Sequence, residues 1–144
     1  MMRRLLLTVL AVMPLALSGL ASASTSKPML DESALGKLAQ SVGVSSQTAQ
    51  AALGSMLMLT QRRVETGQFQ QVAEYIPRWS EYIDAGRQMG AFSESISTPA
   101  QLDDAFAKLG MSPEQVGKFV PAVTDYLEKV GGRETSEIMR GALR

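Results

Sequence analysis

The same four-residue junction occurs twice in this chain: an apolar residue, a glycine, a second apolar residue and a serine. It reads Val42-Gly43-Val44-Ser45 and again Leu109-Gly110-Met111-Ser112. Glycine, lacking a Cβ, takes the left-handed conformation that closes a helix. Serine in the extended conformation accepts a hydrogen bond from a free N–H of the next helix and so starts it. The apolar residue between them can staple the two helices together. A chain written this way is committed to helices joined by tight corners. No segment shows sustained apolar/polar alternation, so strands are not expected. The predicted fold is all-α, a compact bundle of about six or seven short helices.

Periodicity places the elements. Asp31 and Glu32 suit a helix N-terminus, and Leu35, Leu38 and Val42 recur behind them up to Gly43. After Ser45, one face carries Ala49, Ala52, Leu53, Met56, Leu57 and Thr60. Ala51, Met58 and Leu59 extend its apolar character round the helix, so this helix is expected at the centre. Phe69, Val72, Ala73 and Ile76 define a third helix starting at Thr66 or Gly67, which Pro77 ends or kinks at Ile76. Trp79, Tyr82 and Ile83 carry the next. Gly86 to Ile96, with Gly90 and its serines, reads as a mobile loop. Thr98-Pro99-Ala100-Gln101 and Ser112-Pro113-Glu114-Gln115 are capping boxes with proline at the first helical position. Leu102, Ala105, Phe106 and Leu109 follow the first box. Phe119, Val123 and Leu127 follow the second, with Pro121 as a kink, and a last helix covers about Thr135 to Leu143.

The two junctions belong to a longer echo. Leu35–Leu53 aligns with Leu102–Val120 at an offset of 67, with Leu35/Leu102, Gly43/Gly110 and Ser45/Ser112 identical. A second pair, Tyr75–Ile83 against Phe119–Leu127, matches at an offset of 44 around Pro77 and Pro121. Together they predict a diverged internal duplication of a helical unit, with Tyr82 and Tyr126 in equivalent places.

The N-terminus supplies an address. Arg3 and Arg4, an apolar run from Leu5 to Leu20 broken by Pro14, and Ala21-Ser22-Ala23 have the order of a cleavable signal peptide, residues 1–23. The run is shorter than the roughly 20 apolar residues that span a bilayer. Residues 24–30 then form a flexible leader, and 31–144 one helical domain. The expected location is the periplasm. The chain has no cysteine, so no disulfide supports the fold and no lipid attaches after the cut, where Ser24 stands. The protein is not a lipoprotein, and membrane association is not expected once the signal is removed. Cleavage removes two of 14 basic residues and none of 14 acidic ones, leaving a charge of about −2. No basic stripe is left to bind nucleic acid. Histidine is also missing, which removes the commonest general base near neutral pH and the commonest metal ligand.

Leu38 to Ala52 with its Val42–Ser45 turn, Phe69 through Ile76-Pro77, and Leu109–Ser112 with Phe119-Val120-Pro121 together resemble the VcgC/VcgE-type family of bacterial exported proteins. The resemblance covers most of the mature chain and implies an all-helical domain of unknown function, with no catalytic residues to carry over. The family pattern often has a glycine after the first proline, where this chain has Arg78.

No catalytic, cofactor-binding or metal-ligating residue stands out. Glu81/Asp84 and Asp103/Asp104 are paired carboxylates on polar helix faces, where solvated charge is the simpler reading. Ser93, Ser95 and Ser97 have no histidine to activate them. Met56, Met58, Met89, Met111 and Met139 suit either core filling or adaptable contacts. The candidate partner contacts are Met56, Trp79 and Tyr82, with a groove expected between Leu53–Met58 and the Trp79/Tyr82 segment. The chain is therefore expected to be a non-enzymatic binding module without a cofactor, its partner an unknown protein or an apolar small molecule. The alternative is a carboxylate-dependent hydrolase acting on cell-envelope polymers.

Overall fold

A computed structural model describes residues 27–144, and residues 1–23, expected to be a signal peptide, lie outside them. Seven helices follow in order: α1 (Glu32–Val42), α2 (Ser46–Arg63), α3 (Thr66–Ala73), α4 (Trp79–Gln88), α5 (Pro99–Lys108), α6 (Pro113–Gly131) and α7 (Arg133–Ala142). Among the described residues there is no strand, and no helix is long and apolar enough to cross a membrane. The class is all-α, as the periodicity predicts.

The helices begin where the capping chemistry puts them. Asp31 accepts from the N–H of Ala34, Ser45 from Thr48, Thr98 from Gln101 and Ser112 from Gln115. Both junction glycines are left-handed, with φ of 89° at Gly43 and 80° at Gly110. The junctions also touch each other. The Gln115 side chain accepts from the Ser112 N–H at 3.0 Å and donates to the Gly43 carbonyl at 3.1 Å.

Helix α2 is the centre, and every residue from Ala51 to Thr60 is buried. Burying one leucine such as Leu57 there contributes about 1.5–3 kcal/mol. The hydroxyls of Ser55 and Thr60 return to the carbonyls of Ala51 and Met56 at 2.9 and 2.8 Å, so no buried hydroxyl of α2 is orphaned. Helices α1, α4 and α5 pack round α2, α6 lies against α1 and α7, and α7 against α3. Helix α4 comes closest. A Cβ on Gly54 would lie 1.8 Å from the carbonyl oxygen of Tyr82.

Four expectations meet a different structure. Helix α3 stops at Ala73, and Tyr75 and Ile76 turn back with N–H bonds to Val72 and Ala73. The residue before a proline avoids helical geometry, so the chain leaves the helix before Pro77. Gly86–Ile96 is not a free loop. Gly86 lies inside α4, and Ala91, Phe92 and Ile96 are buried, because their apolar side chains anchor the segment to the core. Residues 27–30, expected in a flexible leader, are pinned. Leu30 is fully buried and its N–H donates to the Tyr75 carbonyl at 2.7 Å, while Lys27 pairs with Glu74 at 2.8 Å. Finally, Tyr82 and Tyr126 are not equivalent. Tyr82 is buried in the first turn of α4, after the helix interruption around Pro77. Tyr126 is half-buried well inside α6, which continues through Pro121.

Candidate functional site

The proposed contact residues are reached through α4. Arg78, which starts it, has φ 64°, the only left-handed non-glycine among the described residues. A residue with a Cβ is strained in this conformation. The guanidinium is held on the α4 side, donating to Glu81 at 2.6 and 3.1 Å and reaching Glu32 of α1 at 3.4 Å. Hydrogen bonding from Arg78 holds the Glu81 carboxyl below the usual carboxylate range. From that start Trp79 turns inward, half-buried, and meets Phe69 edge to face with ring centroids 5.0 Å apart. Tyr82 is 4% exposed. Burial, then the nearby Glu32 charge, pushes its phenol upward.

Met56 is completely buried in α2, Tyr82 nearly so, and α4 lies directly on Gly54. The groove expected between Leu53–Met58 and Trp79/Tyr82 is therefore closed. The close approach that glycine permits removes the space a ligand would need. Met58, Met111 and Met139 are core residues as well, and only Met89 among these methionines is exposed.

Two of the concavities among the described residues bear on a site. One, of about 290 Å³, is polar and lies where α1, α2 and α4 meet. Glu32, Glu81 and Asp84 border it with Gln50, Arg78 and the edge of Tyr82. Its carboxylates are exposed and already engaged: Arg78 bridges Glu32 and Glu81, and Arg87 reaches Asp84 at 3.5 Å. A general acid needs its pKa raised by a dry environment, and Glu81 is shifted the other way.

The other, of about 460 Å³, is an open apolar cleft at the α5–α6 elbow. Phe106 and Ala107 of α5 line one side. Met111, Pro113, Val116 and Gly117 line the other, with Asp103 at its edge. The two elbows differ in packing. The α1–α2 elbow closes on Ala39 and Ala49, whereas the matching junction of α5 and α6 carries Phe106 and Val116. The second elbow thus carries the larger side chains of the two. Sequence reasoning missed this cleft. Its only signal was apolar residues on both sides of the Gly110–Ser112 corner, which read as a staple.

The remaining candidates stay apart. Asp103 and Asp104 are exposed, and of the three serines only Ser95 is half-buried. No group of three or more acidic residues capable of holding a metal ion occurs among the described residues.

No curated protein and no solved structure matches the chain. The family model described as "Protein of unknown function VcgC/VcgE (DUF2780)" matches residues 16–144. With its helix-corner motifs inside that span, the chain belongs to the VcgC/VcgE family of proteins of unknown function.

Proposed function

We propose that the protein is a non-catalytic binding module of the periplasm, exported through the signal at Met1–Ala23. On this reading it takes an apolar group of a partner protein, or an apolar small molecule, into the α5–α6 cleft. The observation that carries the reading is the cleft itself: an apolar concavity walled by Ala107, Pro113, Val116 and Gly117, floored by the buried Phe106 and Met111, and bordered by one carboxylate. Binding sites are typically concave and apolar with few polar groups.

Gly117 provides the test. A Cβ there meets nothing within 4 Å, so the side chain of Gly117→Leu can leave the helix toward the cleft without a backbone clash. The mature protein is titrated with a fluorescent naphthalene dye and with a leucine-rich amphipathic peptide, each followed by amide NMR shifts. Saturable shifts centred on Phe106, Met111 and Val116 are expected, and they are lost in Gly117→Leu. The variant should also be about 1 kcal/mol more stable, because leucine favours a helix over glycine. Shifts that are absent, or unchanged by the substitution, overturn the reading. An alkaline phosphatase fused after Ala23 should be active only if the segment exports it.

The second reading, a carboxylate-dependent hydrolase, is favoured by Glu32, Glu81 and Asp84 bordering one concavity. It requires turnover of envelope polymers that Glu81→Gln or Asp84→Asn abolishes. No turnover by the mature protein ends it.

A further inference from the structure

We infer that the chain is a fused pair of one three-helix unit, α1–α3 and α5–α7, related by an approximate two-fold axis. Helix α4 is an addition to one side alone. The first argument is register. The helices start at Glu32, Ser46 and Thr66 in the first unit and at Pro99, Pro113 and Arg133 in the second, each pair 67 residues apart. The offset stays constant over three elements and two connections, where independent helices would drift.

The second argument is burial at that offset. Leu35/Leu102, Ala39/Phe106, Ala52/Phe119, Met56/Val123, Thr60/Leu127 and Val72/Met139 are all buried. Residue identity has diverged at most of these positions, yet each still faces the core. The third argument is exchange of partners: α1 packs on α6, α5 on α2, and α3 on α7. A two-fold axis requires the first two contacts to be one contact repeated, and the third to lie across the axis.

The departures identify what was added. Along α2 and α6, only three pairs change from buried to exposed, and they are Ala51/Lys118, Gly54/Pro121 and Met58/Asp125. These positions are spaced i, i+3, i+7, one stripe of a helix. On α2 that stripe meets α4, through Tyr82 at Gly54 and Gly86 at Ala51. On α6 the same stripe is exposed, as Lys118, Pro121 and Asp125, and Asp125 pairs with Arg140 of α7 at 2.7 Å. Helix α4 thus turned one of two amphipathic helices into a central one. The closed α4 side and the open α5–α6 elbow are the places where the two units have separated in use.

Two measurements on the mature chain test this. Residual dipolar couplings give the helix orientations. One rotation near a half-turn should carry α1–α3 onto α5–α7, and the α1/α6 and α2/α5 crossing angles should agree within the roughly 20° scatter of helix packing. Angles that differ by more, or a rotation far from a half-turn, overturn the duplication. The second measurement replaces residues 78–90 with a flexible linker. That chain should aggregate, and adding Ala51→Lys with Met58→Asp, which gives α2 the stripe of α6, should restore a cooperative monomer. If it stays unfolded, α4 is integral and its status as an addition falls, while the couplings still decide the two-fold relation.

Discussion

Helices α2 and α6 are nearly the same length and start 67 residues apart, yet they meet water differently. Eleven residues of α2 are buried against four of α6. On α6 the buried side chains Phe119, Val123, Thr124 and Leu127 form one stripe, with Lys118, Asp125 and Glu128 opposite. On α2 the buried set runs all the way round from Ala51 to Thr60. The difference comes from one neighbour. With α4 on its outer face, α2 must be apolar there and must carry a glycine where the backbones meet. Without that neighbour, the same place on α6 tolerates a proline. A helix is therefore central because of what covers it more than because of its own propensity.

The comparison breaks most sharply at its closest contact. Gly54→Ala should cost about 3 kcal/mol, since its methyl would push against the Tyr82 backbone and must separate α2 from α4. Chemical denaturation measures it, and a loss below about 1 kcal/mol would mean the seam is looser than drawn. At the matching place on α6, Pro121→Ala should instead raise stability by about 1 kcal/mol, because Pro121 lacks the N–H that an interior helical residue donates.

The matched caps sharpen the likeness. Ser45→Ala and Ser112→Ala should each cost about 1 kcal/mol, because each serine accepts from the N–H of the third residue of its helix. A large loss in one and none in the other would show that the two corners do different work.

The smallest effect lies at Arg78. Arg78→Gly should raise the melting temperature slightly by relieving the left-handed backbone, whereas Arg78→Ala should lower it by keeping the strain and losing the pairs. Glu81 is held below its usual value of 4.5, so its pairing stabilises the fold above that pH. The contribution is lost as pH falls through the lowered value. Either variant should flatten that acid limb in melts taken from pH 6 down to about 3.

Much of the fold was legible because its boundaries are chemical. Asp31, Ser45, Thr98 and Ser112 announce their helices through side chains that cap locally, and local bonds need no knowledge of the rest of the chain. The all-round apolar pattern of α2 likewise marked it as central. What stayed hidden depends on distant partners. Gly86 reads as loop punctuation, but it serves an approach to the Ala51 carbonyl and the Phe92 ring inside α4. The left-handed turn falls on Arg78, a residue type whose own propensity does not favour it. The candidate site fared worst. Met56 and Tyr82 carry interface chemistry but face inward, and the open cleft sits at the elbow whose pair is Phe106 and Val116, where the first elbow has Ala39 and Ala49. That is a comparison of volumes across a corner, and periodicity does not measure it.

The burial of Leu30, with its N–H on the Tyr75 carbonyl, sets a limit on trimming. An aminopeptidase working inward can remove residues before Lys27 without touching a described contact. Past that point it must first break the Lys27–Glu74 pair and then draw a buried leucine out of the core. The folded body therefore begins several residues ahead of its first helix, and a fragment cut at Asp31 would lack a piece of its own interior.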